Sequence, residues 1–263
     1  MTQGVGGHQS AVSASGEARV AIVTGASLGI GRGIALRLGR LGCRVVVNFV
    51  GSEPEAAHTV RAIEEDGGTA IAMRADVSTV AGIDELFEFT MAQFGRIDIV
   101  VANAGVEIIR QPVLDATEAD FDRLFALNTK GAFFTLQRAG RLVADGGRIL
   151  WIGSSSSYGP SRGLGLYGSS KMAPRYVVEV LAQEVGSRNV TVNSIDPTVV
   201  EGAGVFTEAA SDEKFQAANR ATRPLGGRAG RPDDVADAVE YFVSDLAGWV
   251  SGQHLLVSGG APQ

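Results

Sequence analysis

Apolar runs of strand length alternate with segments of helical spacing along most of the chain. The strand-like runs read ARVAIVT, RVVVNF, TAIAMRADV, IDIVVANAG, RILWIGS, NVTVNSI and HLLVS. Helices are predicted from about Ile30 to Leu41, Glu53 to Glu65, along an apolar stripe from Ile83 to Phe94, around Phe121 to Leu142, from about Tyr167 to Val185, and over 232–244. Strands that alternate with helices need a parallel sheet covered on both faces. The pattern therefore predicts a mostly parallel, doubly wound α/β sheet in three layers.

Two stretches depart from this alternation. Residues 1–17 are small, polar and glycine-rich, and they hold too few apolar groups to offset the entropy of ordering. We expect a flexible N-terminal tail there. The stretch from 197 to 231 is expected to be irregular, but no linker divides the chain, so residues 18–263 are predicted to form one domain.

Composition excludes several classes of protein. Hydrophobic residues make up 45% of the 263 residues, and the 35 glycines follow no three-residue period, which excludes a collagen-like chain. A net charge of −6 with scattered arginines disfavours a nucleic-acid partner. No apolar run approaches the ~18 residues of a membrane span, and the N-terminus lacks the secretory pattern. Cys43 is the one cysteine and the 3 histidines show no metal-binding spacing, so we expect a cytoplasmic protein without a metal site or a membrane partner.

A glycine-rich turn joins the first predicted strand to the first predicted helix. The sequence AIVTGASLGIGRGIA places Gly25, Gly29 and Gly31 at this junction. Glycine permits a tight turn and close backbone approach, and the free amides at the start of a helix attract phosphate. The spacing differs from the common G-x-G-x-x-G pattern, but the position of the turn favours dinucleotide binding over a turn without a ligand.

The segment YGSSK places Tyr167 and Lys171 four residues apart, on one face of a helix. A phenol with its ordinary pKa near 10 is a poor acid-base group at neutral pH, and a nearby ammonium favours the phenolate. At about 4 Å and an effective dielectric constant of about 20, this attraction is about 4 kcal/mol. The pair therefore predicts a lowered pKa for Tyr167 and a role in proton transfer.

Several motifs in order carry a family resemblance. TGASLGIG resembles the TGxxxGIG signature of the short-chain dehydrogenase/reductase family in its compact, single-domain form. Asp76 and Val77 follow the third strand as an adenine contact would, and Asn103, Ala104 and Gly105 close the fourth strand. The resemblance covers about residues 18–260 and is greatest to ketoacyl-carrier reductases and polyketide or naphthol-type ketone reductases. It implies a Rossmann-like fold.

The same resemblance implies the catalytic residues. Ser154, at the end of RILWIGS, matches the serine that hydrogen-bonds the substrate carbonyl, with Ser155 as the alternative in the run of four serines. Asn128, in LNTKG, matches the asparagine whose backbone holds a water near the lysine. Tyr167 is then the general acid, and Lys171 both holds the nicotinamide ribose and lowers the pKa of the tyrosine.

The end of the second strand bears on the choice of cofactor. The residues from Val47 to Ser52 include no carboxylate to repel a 2′-phosphate, so NADP(H) is favoured, with NAD(H) as the alternative. Leu28 stands where many NADP-dependent relatives carry a basic residue, and Arg32 or Arg74 is expected to compensate. The cofactor-binding residues implied are Gly25, Ser27, Leu28, Gly29, Ile30, Gly31, Asn48, Phe49, Ser52, Asp76, Val77, Asn103, Ala104, Gly105, Tyr167, Lys171, Pro197 and Thr198.

The chain also departs from the family pattern. Pro197-Thr198 replaces Pro-Gly, with Gly202 where a threonine is usual, and Pro174 lies inside the helix of Lys171, where it could kink that helix. Apolar residues of the long segment at about 198–228 belong either to a substrate lid or to the core. These are Val199, Phe206 and Phe215. Tyr158 either faces the same pocket or fills an ordinary half-buried site.

We therefore expect an NADP(H)-dependent oxidoreductase that transfers hydride between nicotinamide and a small-molecule ketone or secondary alcohol. The alternatives are an NAD-dependent alcohol dehydrogenase of the same family, a sugar-nucleotide epimerase or dehydratase, and a non-catalytic nucleotide-sensing regulator. The chain offers too little sequence for the larger substrate region of the epimerases. By analogy with the family, we expect a homotetramer or homodimer, with Trp249 and Val250 near an interface.

Overall fold

The computed structural model describes residues 17–204 and 213–261, with the side chains of Phe215, Asn219 and Arg220 left aside. The predicted tail up to residue 16, and Phe206, lie outside the described residues. The strands are β1 Val20–Val23, β2 Arg44–Phe49, β3 Thr69–Arg74, β4 Ile99–Ala102, β5 Arg148–Ile152, β6 Thr191–Pro197 and β7 His254–Val257. The α-helices are α1 Gly29–Arg40, α2 Glu53–Glu65, α3 Val80–Phe94, α4 Glu118–Leu124, α5 Ala132–Leu142, α6 Gly165–Val185, α7 Glu213–Thr222 and α8 Pro232–Val243.

The strands form one parallel sheet in the order β3-β2-β1-β4-β5-β6-β7. Sequence order runs outward in both directions from β1, since β1 pairs with β2 on one side and β4 on the other. The carboxyl ends of β1 and β4 therefore flank a crevice. This arrangement confirms the predicted doubly wound, Rossmann-like α/β fold.

Two apolar cores lie on opposite faces of the sheet. One face packs against α1, α2 and α8, and its core includes Ile34 and Val239. The other face packs against α3, α5 and α6, with Phe87, Leu136 and the fully buried Trp151 in its core. The central strands are buried on both faces, which explains why their sequences are continuous apolar runs instead of alternating ones.

Local signals fix where several helices begin and end. The Thr79 hydroxyl accepts the amide of Gly82 at 3.0 Å and caps α3, which ends at the left-handed Gly95. Thr117 and Asp120 form a reciprocal capping box at the start of α4. These contacts satisfy backbone groups that a helix end leaves unpaired.

The structure corrects two predicted elements. The single helix expected from Phe121 to Leu142 is α4 followed by a π-helical turn, Phe125–Gly131, and then α5. The stretch from 197 to 231 is not irregular throughout, because it contains α7. Among the described residues, no helix has both the length and the apolar composition that a membrane span requires.

Candidate active site

A cavity of about 670 Å³ opens in the crevice between β1 and β4. Its size is typical of a small-molecule site, for which ~300–1,000 Å³ is usual, and its place is where open α/β sheets bind ligands. Many predicted site residues line it together: Gly25, Leu28, Gly29, Ile30, Gly31, Asn103, Ala104, Gly105, Tyr167 and Lys171. The topology therefore brings the glycine turn and the tyrosine–lysine pair to one place.

The glycine turn forms one wall of the cavity. Gly25 and Gly29 have φ values of +62° and +55°, which side chains rarely adopt. A Cβ on Gly31 would lie 2.2 Å from the carbonyl oxygen of Gly25, so the helix start can approach the turn only with glycine there. The N-cap residue Leu28 makes no side-chain hydrogen bond, and the first turn of α1 has no acidic residue. Its amides therefore remain available to an anionic ligand.

The turn that follows β4 is bonded to the glycine turn. The side-chain amide of Asn103 donates to the carbonyls of Thr24 at 2.9 Å and Gly25 at 3.2 Å. In return, the Thr24 hydroxyl accepts the backbone amides of Asn103 and Ala104 at 2.9 and 3.0 Å. These bonds hold the two walls of the crevice in a fixed relation.

The role expected of Asn48 is corrected by its contacts. The side chain is buried, accepts the amide of Gly25 at 3.3 Å, and donates to the carbonyls of Met73 and Ala75 at 3.3 and 3.0 Å. Asn48 therefore supports the glycine turn from behind and is not turned toward a cofactor phosphate. Val50 lines the cavity at the end of β2 instead.

Other expected cofactor contacts lie outside the cavity lining: Ser27, Phe49, Ser52, Asp76, Val77, Pro197 and Thr198. Phe49 and Val77 are buried in the two cores. The Asp76 carboxylate accepts the amide of Ser78 at 2.9 Å, and hydrogen bonds from Ser78 lower its pKa. Thr198 donates its amide to Val257 at 3.1 Å. Their contact with a cofactor stays a prediction.

Tyr167 and Lys171 lie one turn apart on α6 and are both buried. The ammonium of Lys171 donates to the carbonyl of Ile152 at 3.3 Å and lies 5.9 Å from the centre of the Tyr167 ring. Ile152 is the last residue of β5, so the end of this strand and α6 together place the lysine beside the tyrosine.

Ser154 follows β5 by two residues, and its hydroxyl acts on the Tyr167 phenol to lower the pKa of that phenol. Its hydroxyl also accepts the amide of Ser156 at 3.2 Å, which fixes its position. Of the two serines considered from the sequence, Ser154 is thus the one in contact with the phenol.

Asn128 lies fully buried in the π-helical turn. Its side chain accepts the amide of Val106 at 2.9 Å and donates to the carbonyl of Val106 at 2.9 Å and to the hydroxyl of Ser170 at 3.0 Å. A Cβ on Gly105 would lie 3.2 Å from Asn128 Oδ1 and 3.3 Å from Lys171 Nζ. Asn128 thus joins the segment after β4 to the helix of the tyrosine, a role that the sequence did not indicate.

Pro174 does not interrupt α6, which continues to Val185. Proline lacks the amide that would donate to Ser170 four residues earlier. The hydroxyl of Thr129, in the π-helical turn, donates to the carbonyl of Ser170 at 2.9 Å and takes the place of that amide. The helix therefore carries Lys171 without the expected disturbance.

The electrostatics differ from the expectation for Tyr167. Burial raises the pKa of this phenol well above its ordinary value, the Glu107 carboxylate raises it further, and the Ser154 hydroxyl opposes both. The prediction that Lys171 lowers the pKa of Tyr167 is wrong for this structure, because desolvation dominates. Burial also lowers the pKa of Lys171 to about 8, against the opposing charges of Glu107 and Asp196.

Two acidic residues near the pair were not identified from the sequence. Tyr167 Oη donates to Glu107 Oε1 at 3.5 Å, and Glu107 lines the cavity. Asp196 is fully buried at the end of β6, where burial raises its pKa. Two features of the sequence could have identified them. Asp196 is a carboxylate inside the apolar run NVTVNSIDP, and Glu107 follows Asn-Ala-Gly by two residues.

The segment after β6 lies across from the glycine turn. Gly202, Ala203 and Gly204 line the cavity, and a Cβ on Gly29 would lie 3.2 Å from Ala203. The choice between a lid and a core anchor stays open, since Phe206 and the side chain of Phe215 are not described. Val199 is half-buried.

Tyr158, which was considered for the substrate pocket, has other contacts. Its hydroxyl donates to Asp196 at 2.9 Å and to the carbonyl of His254 at 3.2 Å. Its ring lies 4.3 Å from the guanidinium of Arg175. Tyr158 is not among the residues that line the cavity. Its hydroxyl instead fixes the position of the Asp196 carboxylate.

Known proteins resemble this chain along most of its length. A family model described as enoyl-(acyl carrier protein) reductase matches residues 25–262. A short chain dehydrogenase/reductase of Aspergillus novofumigatus is 38% identical over 256 residues, which cover 93% of this chain and 96% of that protein. Tetrahydroxynaphthalene reductase of Pyricularia oryzae is 35% identical over 267 residues, which cover 95% of this chain and 91% of that protein.

Solved structures give the same result. The crystal structure of the angucycline C-6 ketoreductase LanV with bound NADP has a TM-score of 0.83 and 34% identity, and covers 92% of this chain and 95% of its own. A dehydrogenase/reductase from Sinorhizobium meliloti has a TM-score of 0.84 and 33% identity, with coverage of 93% and 95%. The family model, the relatives and the solved structures all indicate the family that the motifs lining the cavity resemble. The chain therefore belongs to the short-chain dehydrogenase/reductase family of oxidoreductase enzymes.

Proposed function

We propose that the protein is an NADP(H)-dependent reductase of ketones, which also oxidises secondary alcohols in the reverse direction. The observation that carries this proposal is the buried Tyr167 side chain, one helical turn from the buried Lys171, in the lining of a cavity that is walled by the glycine turn. A proton donor next to a cavity that can hold a small molecule is the arrangement that carbonyl reduction needs.

The cavity fits a nicotinamide dinucleotide on its own geometry. Glycine at position 31 lets the start of α1 pack against the Gly25 turn, and the uncapped first turn of α1 offers amides to a pyrophosphate. Asn103, Ala104 and Gly105 continue the lining from the glycine turn toward Tyr167. When bound, the cofactor would supply or accept the hydride.

The side chains of this protein would supply the remaining chemistry. Tyr167 donates its proton to the oxygen of the ketone as that oxygen gains charge, and Ser154 hydrogen-bonds the same oxygen. The raised pKa of Tyr167 keeps the phenol protonated and so suits it to act as the acid in reduction. Lys171 places a positive charge next to this site below about pH 8. Asn128 holds the segment that carries Val106 against α6.

The preference for NADP(H) is argued from the end of β2. Val50, Gly51 and Ser52 carry no charge that would repel a 2′-phosphate. The Arg74 side chain donates to the carbonyl of Val50 at 3.3 Å, which puts a guanidinium beside the edge of the cavity. LanV, at 34% identity, binds NADP. A comparison of kcat/KM for NADPH and NADH tests this preference, and a higher value for NADH would refute it.

A homotetramer or homodimer is also proposed. Phe133 on α5 and Met172 and Tyr176 on α6 are large apolar side chains exposed at 42%, 50% and 69%. Trp249, close to the edge strand β7, is fully exposed. Exposed apolar groups of this size are typical of protein interfaces. Sedimentation equilibrium measures the assembly, and a monomer at micromolar concentration would contradict this part of the proposal.

The substitution Tyr167→Phe tests the catalytic assignment. It removes the acid and keeps the ring, so we expect turnover of a ketone with NADPH to fall by at least about 100-fold, the lower range of general acid catalysis. The Kd for NADPH, measured by fluorescence titration, should change less than threefold. Tyr241→Phe, on α8 away from the cavity, is the matched control and should retain full turnover. Near-normal turnover by Tyr167→Phe would overturn the assignment.

A further inference from the structure

Glu107 holds a carboxylate beside the group that is proposed to protonate the substrate. Its Oε1 accepts a hydrogen bond from Tyr167 Oη at 3.5 Å, and the side chain is half-buried in the cavity lining. Asn128 bonds both backbone groups of the preceding residue, Val106, at 2.9 Å. The backbone next to Glu107 is therefore held in place.

On its other side, the Glu107 carboxylate lies next to the backbone of Gly204. A Cβ on Gly204 would lie 2.5 Å from Glu107 Oε2 and 2.9 Å from its Cδ, and Gly204 has a φ of +55°. The segment at Gly204 thus lies against the carboxylate, and a glycine there leaves room for the Glu107 side chain in its present position. Within the cavity lining, Glu107 thus lies against the Gly204 segment on one side and the Tyr167 hydroxyl on the other.

A carboxylate in this place affects which ketones can react. A ketone oxygen and a carboxylate are both hydrogen-bond acceptors, and an oxygen that gains negative charge is repelled by the carboxylate. When Tyr167 turns its proton toward a substrate, Glu107 also loses that hydrogen bond. A substrate with a hydrogen-bond donor next to the reacting carbonyl avoids both the repulsion and the loss of the hydrogen bond, because its donor bonds to the carboxylate. Hydrogen bonds to charged acceptors are also stronger than those to neutral ones.

We propose that Glu107 is a specificity-determining residue that binds a hydroxyl group on the carbon next to the reacting carbonyl. This inference rests on the proposed function and assigns its substrate class as α-hydroxyketones in reduction and vicinal diols in oxidation. The carbonyl oxygen is held by Tyr167 and Ser154 while the neighbouring hydroxyl donates to Glu107. The apolar lining from Val106, Leu127 and Ile152 then contacts the carbon skeleton.

Three ketones of one skeleton test the inference: 1-indanone, 2-hydroxy-1-indanone and 2-methoxy-1-indanone. The methoxy compound keeps the electron-withdrawing oxygen and the added bulk but has no donor, so it separates hydrogen bonding from reactivity. We expect the wild-type enzyme to favour the hydroxy over the methoxy ketone in kcat/KM by at least about 10-fold, since a site that binds a hydroxyl discriminates against an analogue without one.

The variants Glu107→Gln and Glu107→Ala should reduce this ratio to about threefold or less, mainly through a higher KM for the hydroxy ketone. Glu107→Gln has nearly the same size, and its midpoint of thermal unfolding reports whether the fold is intact. Glu118→Gln, at an exposed glutamate on α4, is the matched control and should keep the wild-type ratio.

The outcomes separate this inference from the proposed function. A wild-type enzyme that reduces the ketones with equal kcat/KM, or a Glu107→Gln variant that keeps the wild-type ratio, would overturn the role of Glu107 and leave the reductase proposal standing. A wild-type enzyme that reduces none of the three ketones with NADPH or NADH would overturn the proposed function and this inference together.

Discussion

The contact between Gly153 and Asp196 gives a prediction whose size follows from the structure. Gly153 lies between the end of β5 and Ser154, and a Cβ added there would lie 1.9 Å from Asp196 Oδ1 and 2.8 Å from the Trp151 ring. Atoms in proteins do not approach so closely, so Gly153→Ala must move either the backbone or the aspartate by about 1 Å or more. Asp196 is fully buried and held by hydrogen bonds from Tyr158 at 2.9 Å and Ser194 at 3.3 Å.

Adding a methyl group at Gly153 overpacks a rigid core, and this lowers the free energy of unfolding. Such insertions cost about 1–3 kcal/mol, and the short distance together with the fixed partners places Gly153→Ala at about 3 kcal/mol. For a chain of this size, 1 kcal/mol lowers the midpoint of thermal unfolding by about 2–3 °C, so we expect a decrease of about 6–9 °C. Ser154 is the next residue, and its displacement from Tyr167 should also lower kcat.

A double-mutant cycle tests this explanation. Asp196→Ala removes the obstructing carboxylate, whose Oδ1 has no hydrogen-bond partner among the residues that the structure describes. The variant Gly153→Ala/Asp196→Ala should therefore recover about 2 kcal/mol relative to the sum of the single changes, as contacting residues do in such cycles. Unfolding free energies are measured in urea by circular dichroism, and ketone reduction reports on Ser154.

Gly186→Ala is the matched control for this cycle, because a Cβ at Gly186 would meet no atom of the described part of the chain within 4 Å and its φ of −57° suits any residue. Its stability should stay within about 0.5 kcal/mol of wild type. The clash mechanism would be refuted if the effects of Gly153→Ala and Asp196→Ala added without coupling, or if Gly186→Ala lost as much stability as Gly153→Ala.

Two further predictions concern the helix that carries the pair. Thr129→Val leaves the carbonyl of Ser170 without a donor and should lower the unfolding free energy, measured in urea, by about 1–2 kcal/mol. The same change in a Pro174→Ala background should cost little, because alanine restores the helical amide. Equal losses in both backgrounds would show that Thr129 does not replace that amide. Lys171 has a pKa of about 8 in the folded protein and about 10.4 in the unfolded chain. Between these two pH values the unfolded chain binds more protons than the folded protein. The unfolding free energy should therefore rise from about pH 8 to about pH 10. Lys171→Met should lack that rise. If the wild-type unfolding free energy, measured in urea, stays constant between about pH 8 and about pH 10, the lysine is not desolvated.

Features that depend on short stretches of chain were predictable from the sequence. The strand–helix alternation predicted the sheet, and the helix from Glu53 to Glu65 was predicted with its observed bounds. The glycine turn and the spacing of Tyr167 and Lys171 are local as well, since a turn and a single helical turn fix them. The order of motifs along the chain then placed both at one edge of the sheet.

Features that depend on packing were not predictable in this way. The π-helical turn at Asn128 joins two shorter helices where the pattern indicated a single one, and there Thr129 satisfies the carbonyl that Pro174 leaves without a donor. Asn48 lies near the end of β2, where a cofactor contact was expected, but its side chain bonds to the neighbouring strand and the glycine turn.

By itself, then, the sequence determined the layered sheet, the glycine turn and the placement of Tyr167 and Lys171 one turn apart on a helix, because each is encoded by residues close together in the chain. Only the tertiary structure decided the charge state of that pair. Residues distant in sequence bury Tyr167 and Lys171 and bring Glu107 and Asp196 near them, so the pKa of the tyrosine rises where the isolated helix would lower it. Desolvation and long-range charge depend on the whole fold, and spacing along one helix does not contain them.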